Sequence, residues 1–122
     1  DLQEDDLWNR KTKNGYTTMP RTMPLILRIM DSMSNGKPLS SVYLDLWCRA
    51  FDEYIVVLNK KEEMAFYSGF SGQRGTQTWG NRIDILEKFG FIRLAAGTSG
   101  DRSYACIISV ADSPYGVVGI IF

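Results

Sequence analysis

Apolar residues recur at helical spacing in four stretches of the chain. The first stretch follows Thr22, a residue type that caps helices, and stops at the turn residues 34–36. The second follows Pro38, with Ser40 or Ser41 as its cap. The inward positions predicted for these two helices are Met23, Ile26, Leu27, Met30 and Met33 in the first, and Tyr43, Trp47, Ala50 and Phe51, with Leu44 and Cys48 beside them, in the second.

The third stretch is short and has the spacing of a capping box. The Asn59 side chain would satisfy a free amide of the first turn, and the Glu62 side chain would reach back to the amide of Asn59. Gly69 stands where a left-handed residue ends a helix, and Phe70 can make the hydrophobic contact that accompanies such an end. The buried side would consist of Met64, Ala65 and Phe66.

The fourth stretch is the longest and begins between Ser71 and Thr76. Gly90 ends it, and its apolar positions recur at intervals of three and four residues. These positions are Trp79, Ile83, Leu86 and Phe89. The pattern predicts an amphipathic helix that lies against the core.

Segments typical of strands lie between and after these helices. Residues 54–58 form a short segment rich in β-branched residues and predict a strand. Residues 91–94 predict an extended segment, and residues 104–110 predict a strand that follows the turn-rich tip 97–101. The apolar residues 113–122 form either a last strand or a surface that a partner covers. The predicted fold class is therefore mainly α with a small antiparallel β-sheet.

Length and composition indicate one globular domain. The chain has 122 residues, of which 44% are hydrophobic and 23% charged. No apolar run approaches the ~20 residues of a membrane span, and no signal peptide opens the chain, so we expect a cytoplasmic protein without a membrane partner. Residues 1–19 are polar and predict an N-terminal arm, and residues 20–122 predict a single domain.

The residue types available exclude several chemistries. The chain has no His and two Cys, which argues against His-based catalysis and structural zinc sites. Cys48 and Cys106 stand in apolar settings and favour small buried hydrophobes over a disulfide. The glycine-containing segment 69–75 lacks the G-K-[ST] of a phosphate loop. We therefore expect no enzyme, no cofactor and no metal.

The zero net charge hides a mild separation of sign. Residues 1–9 hold four acidic side chains and no basic one, whereas residues 10–28 hold five basic side chains and no acidic one. From Arg74 to Arg102 there are five basic and three acidic residues. A local basic surface is compatible with this pattern, although a strong one is not evident.

The segments EEMAFYSGFS and TWGNRIDILEKFGFIRL resemble the winged helix-turn-helix superfamily of bacterial transcription regulators and replication initiators. The end of the second segment is similar to the L-E-x-x-G-[LF]-I sequence that joins the recognition helix to the wing in that superfamily. The turn at residues 71–75 is about one helical turn longer than the spacing common there. Either the recognition helix starts early or the turn carries an insertion.

The resemblance implies duplex DNA as the partner, for a transcriptional regulator or a replication or plasmid-maintenance factor. It implies a recognition helix at about residues 72–89, placed in the major groove, and a wing at about residues 91–109. Gly80 would allow close approach of the backbone, and a basic arm could be formed by Arg10, Lys11 and Lys13. The implied DNA-binding residues are Gln73, Arg74, Gln77, Thr78, Asn81, Arg82 and, at the wing, Arg102.

Two alternatives stay open at the level of the sequence. The polar residues of the fourth helix could be an ordinary solvated face. The domain could also be a winged-helix module for protein docking or dimerisation that does not bind DNA. A homodimer is a general expectation for the DNA-binding alternative, because one recognition helix usually supplies too little contact for tight specific binding.

Overall fold

The computed structural model describes residues 1–50, 53–97 and 100–109, and only the backbone of residues 100–102. Its fold is mixed α/β, with four α-helices and a small antiparallel sheet. In chain order the elements are α1 (Met23–Met33), α2 (Ser40–Arg49), β1 (Ile55–Val57), α3 (Lys61–Tyr67), α4 (Gly75–Lys88), β2 (Ile92–Gly97) and β3 (Gly100–Ile107), after a short 3-10 helix at Glu4–Asp6. The four helices and three strands predicted from the pattern are confirmed within these ranges, and residues 110–122 lie outside them.

The three described strands form one antiparallel sheet in the order β1-β3-β2. Ala105 in the middle of β3 pairs with Val56 on one side and with Leu94 on the other. One face of the sheet packs on the helices, because Val56, Ala105 and Ile92 are almost fully buried. The short strand β1 therefore joins the β2–β3 hairpin through β3.

A single hydrophobic core connects the helices and the sheet. In α1 the buried residues are Met23, Ile26 and Met30, as the spacing predicts. The stripe predicted for α2 is partly wrong. Val42 and Leu46 are buried there, whereas Trp47 is half-buried and Cys48 is exposed. Because Val42, Leu46 and Ala50 are four residues apart, they form one side of α2, and Cys48 falls on the other.

The helix starts differ most from the sequence prediction. Thr22 is the N-cap residue of α1, but its side chain makes no capping bond. The N-cap residue of α2 is Leu39, not a serine, and Asp31 supplies the acceptor from α1. The capping box at Asn59 is wrong, because α3 begins one residue later, with Lys60 as its N-cap and no side-chain cap bond.

Residues 1–19 contribute no side chain to the core. They contact one another instead, with the Lys13 ammonium donating to the Asp5 carbonyl at 2.6 Å and the Arg10 guanidinium 5.8 Å from the Tyr16 ring centroid. Two of the three residues predicted for a basic arm are thus engaged within the segment.

Cys48 and Cys106 are free thiols, exposed and half-buried respectively, so the expectation of two buried cysteines is wrong.

Candidate nucleic-acid interface

The turn between α3 and α4 is fixed by main-chain hydrogen bonds. Gly69 has φ +93°, its amide donates to the Phe66 carbonyl at 3.0 Å, and the Phe70 amide donates to the Ala65 carbonyl at 2.9 Å. This bonding pattern is a Schellman motif, which ends a helix by satisfying its last carbonyls. The sequence prediction of Gly69 as the left-handed residue is confirmed.

After this motif the chain turns and starts α4 at Gly75. Gly75 is buried, and a Cβ atom there would lie 2.7 Å from the carbonyl oxygen of Phe70. A side chain at this position would collide with main-chain atoms, so the close passage between Phe70 and α4 requires glycine. The helix predicted at about residues 72–89 is thus Gly75–Lys88, and the residues before Gly75 belong to the turn.

The buried side of α4 consists of Trp79, Ile83 and Leu86, as predicted. Gln77 and Asn81 lie on the opposite, exposed side. Two further exposed residues, Asp84 and Lys88, continue the same row at intervals of three and four residues. The exposed row of α4 is therefore Gln77, Asn81, Asp84 and Lys88, and the last two could have been found by extending the helical spacing from Gln77.

Thr78 and Arg82 do not belong to this exposed row. Both are half-buried, and the Arg82 guanidinium lies 5.5 Å from the centroid of the Phe70 ring. The Arg82 Nε is buried without a hydrogen-bond partner in the described part of the chain. Placing both residues on the side opposite the core is therefore wrong. The reason is that their flank of α4 faces the turn after α3.

Gln73 and Arg74 are exposed in the turn that leads into α4. Arg74 is the N-cap residue of α4, and no side-chain hydrogen bond caps this helix end. The first amides of a helix carry partial positive charge and bind anions such as phosphate. The Arg74 guanidinium and this helix end thus bring two sources of positive potential together.

The β2–β3 hairpin is attached directly to the C-terminal end of α4. Gly90 has φ +83°, the Phe91 amide donates to the Leu86 carbonyl at 3.0 Å, and the Leu94 amide donates to Glu87 Oε2 at 2.7 Å. At about residues 91–109, where the sequence predicts two strands, the structure has the antiparallel β2–β3 pair, with Arg93 exposed on β2. The side chain of Arg102, the basic residue predicted at the wing, lies outside the described part of the structure.

A shallow depression of about 490 Å³ lies beside the turn, lined among others by Phe66, Phe70, Gln73 and Thr76. Phe66 and its neighbour Tyr67 are each 66% exposed on the outer side of α3, with ring centroids 6.3 Å apart. An exposed aromatic pair beside a depression is typical of a protein-binding surface. The prediction of Phe66 on the buried side of α3 is therefore wrong.

Neither metal ligands nor a membrane-spanning helix are found in the ranges that the structure covers. No three acidic or cysteine side chains there gather into a group that could hold a metal ion. None of the described helices combines the length and apolarity needed to cross a bilayer.

Comparison of the chain with protein-family models, with curated proteins and with solved structures finds no match.

Proposed function

We propose that the chain binds duplex DNA as a winged helix-turn-helix, with α4 in the major groove and the β2–β3 hairpin against the sugar-phosphate backbone. The observation that carries this proposal is the order of elements. A short helix and a longer amphipathic helix meet at a glycine turn, and a hairpin is bonded to the end of the second helix. This is the order in which such domains present a helix to DNA.

The N-terminal half of the exposed row of α4 carries side chains that can hydrogen-bond to DNA bases. The amides of Gln77 and Asn81 can bond the edge of adenine, and the N-terminal residues of a recognition helix are those that contact base edges. Arg74, beside the uncapped helix end, supports a phosphate contact. Asp84 opposes binding through the C-terminal half of the row, so we assign the contact to the first two turns of α4.

Arg82 would contact DNA differently from Gln77 and Asn81. Its guanidinium has five N–H donors in all and lies over the Phe70 ring, with Cζ 5.5 Å from the ring centroid. We infer that Arg82 would reach phosphate from the side of the turn rather than a base edge. The biological role would be that of a transcriptional regulator or a replication or plasmid-maintenance factor, acting as a homodimer.

The test is fluorescence anisotropy of a labelled random-sequence duplex at low and moderate salt. We expect binding that weakens with salt, and a salt slope that falls by about 1 in Arg74→Ala. Arg28→Ala is the matched control, because it removes one exposed arginine from α1, whereas Arg74 adjoins α4. Arg82→Met keeps an aliphatic stem by Phe70 while removing the charge.

The outcome that contradicts the proposal is an absence of binding at low salt, or equal losses in Arg74→Ala and Arg28→Ala. Selection of binding sites from a random library then tests the base-reading part. Gln77→Ala and Asn81→Ala should change the selected sequence, whereas Arg74→Ala should weaken binding to all sequences alike.

A second candidate function is protein docking without DNA. The exposed pair Phe66 and Tyr67, beside the depression at the turn, favours it. The apolar residues 113–122, which also suit docking, lie outside the described residues. In this case the anisotropy experiment gives no salt-dependent binding. Phe66→Ala would then lose a protein partner that Arg74→Ala retains.

A further inference from the structure

Exposed apolar side chains lie on and next to β1, outside the hydrophobic core. Val56 faces the core and is 2% exposed, whereas Ile55 is 38% exposed and Val57 is 50% exposed. Tyr54, just before the strand, is 66% exposed. Three exposed apolar residues within four positions at a strand are an interaction surface or an aggregation hazard.

The main chain of β1 also has an open edge. The Leu58 amide donates to the Ser103 carbonyl at 2.9 Å, and the Tyr54 carbonyl accepts from the Ile107 amide at 2.7 Å. Because main-chain groups alternate sides along a strand, those of Ile55 and Val57 face away from β3. Among the described strands β3 alone pairs with β1, so this edge has no strand beside it there.

β1 is short, which limits pairing at its edge, but it lacks the other common protections of an edge strand. Residues 54–58 contain no proline and no charged side chain, and the irregularity in the sheet register falls between β2 and β3. Natural proteins usually protect such an edge with lysine, proline or a bulge, or cover it. An unprotected open edge with apolar side chains is suited to pairing with another strand.

The charges at the two ends of β1 favour a second copy of β1 as the strand that pairs with its open edge. Glu53 precedes the strand and Lys60 follows it, and both side chains are exposed. A second copy of β1 in antiparallel orientation would bring Glu53 of each copy near Lys60 of the other, whereas a parallel copy would place like charges together. Antiparallel pairing about a two-fold axis is also the arrangement that closes as a dimer.

We propose that two copies of this chain associate through β1, antiparallel about a two-fold axis at Val56, forming one continuous six-stranded sheet. Ile55 of each copy then lies opposite Val57 of the other. Each of these two pairs can exchange two main-chain hydrogen bonds. The proposal does not rest on DNA binding, since it uses neither α4 nor the hairpin tip.

The proposed dimer is a weak one. A strand of three residues with its flanks buries less than the 1,200–2,000 Å², roughly, that stable complexes bury. We therefore expect monomer and dimer to exchange, with the dimer populated at high protein concentration. In a dimeric DNA complex the shared DNA would raise the effective concentration of one copy for the other.

Sedimentation velocity of the full chain over a wide concentration range tests the proposal. The sedimentation coefficient of the wild-type chain should rise from monomer to dimer with concentration. Val57→Pro should stay monomeric, because proline removes an amide that faces the open edge and takes no part in pairing with β3. Val57→Lys tests the same edge if the proline variant fails to fold. Leu7→Lys, a similar change at an apolar residue of comparable exposure in the N-terminal segment, should associate like the wild-type chain.

A charge exchange tests the antiparallel register. Glu53→Lys and Lys60→Glu should each associate more weakly than the wild-type chain, and a mixture of the two variants should form a heterodimer. A wild-type chain that stays monomeric at all concentrations would overturn the proposal. So would a dimer that survives both Val57 variants, or a mixture of the charge variants that associates no better than either one alone.

Discussion

Replacing each of the two glycines of α4 by alanine should change the stability of the fold in opposite directions. A Cβ at Gly80 would have no heavy atom within 4 Å, whereas one at Gly75 would lie 2.7 Å from the Phe70 carbonyl oxygen and 3.0 Å from its carbonyl carbon. Both glycines are helical, so each substitution also removes the conformational entropy that makes glycine unfavourable in a helix.

The magnitudes follow from these two environments. Gly80→Ala in the helix interior should stabilise the fold by about 0.8–1 kcal/mol. Gly75→Ala must displace main-chain atoms, which should destabilise it by about 1–3 kcal/mol, with little offset because Gly75 is the first helical residue. For a chain of this length, 1 kcal/mol corresponds to a shift of about 4 °C in Tm. The two variants should therefore differ by roughly 7–16 °C.

Urea unfolding followed by far-ultraviolet circular dichroism measures both free energies, with a constant m value as the control for two-state behaviour. Gly75→Ala with wild-type stability would refute the close passage between Phe70 and α4. Gly80→Ala with lower stability would show that another part of the chain packs on this side of α4. Under the proposed function, Gly80→Ala should also bind duplex DNA more weakly despite its higher stability, because Gly80 adjoins the surface that approaches the groove.

Two further predictions concern half-buried carboxylates. Asp31 Oδ1 accepts from the Leu39 and Ser40 amides at 2.7 and 2.9 Å, so Asp31→Ala should lower the free energy of unfolding by about 1–3 kcal/mol in urea melts, and Asp31→Asn by less. Burial raises the pKa of the Asp45 carboxyl more than its hydrogen bond to Arg49 lowers it, so protonation of Asp45 favours the folded state. The stability of the wild-type chain relative to Asp45→Asn should therefore rise as the pH falls from neutral towards about 4, and a difference independent of pH in a series of urea melts would contradict this.

The ends of α3 and α4 were predictable because their causes are local. At Gly69 and Gly90 a left-handed residue is followed by phenylalanine, and the main-chain bonds that stop each helix span only a few residues. The apolar side of α4 was predictable for the same reason. Its period is a property of the helix itself.

Features that depend on a second element were not predictable from the spacing. The cap of α2 comes from Asp31, eight residues before Leu39. The turn between α1 and α2 brings this carboxylate to the start of α2. Arg82 looked like an exposed residue, but the turn after α3 places Phe70 beside it. In α2 the prediction of Tyr43 and Ala50 as buried residues is confirmed, whereas Val42 and Leu46 were missed, because packing against the other elements buries them as well.

The position of β3 in the middle of the sheet sets an order of events during synthesis of the chain. β1 is made before α3 and α4, yet its hydrogen-bonding partner β3 is the last of the described elements to leave the ribosome. β2 likewise pairs only with β3 among these elements. All four α-helices can therefore emerge before the first strand pair closes, and β1 stays without a partner strand among these elements until β3 has left the ribosome. Chains truncated before Gly100 should expose β1 to chaperones and proteases, whereas released full-length chains should protect it.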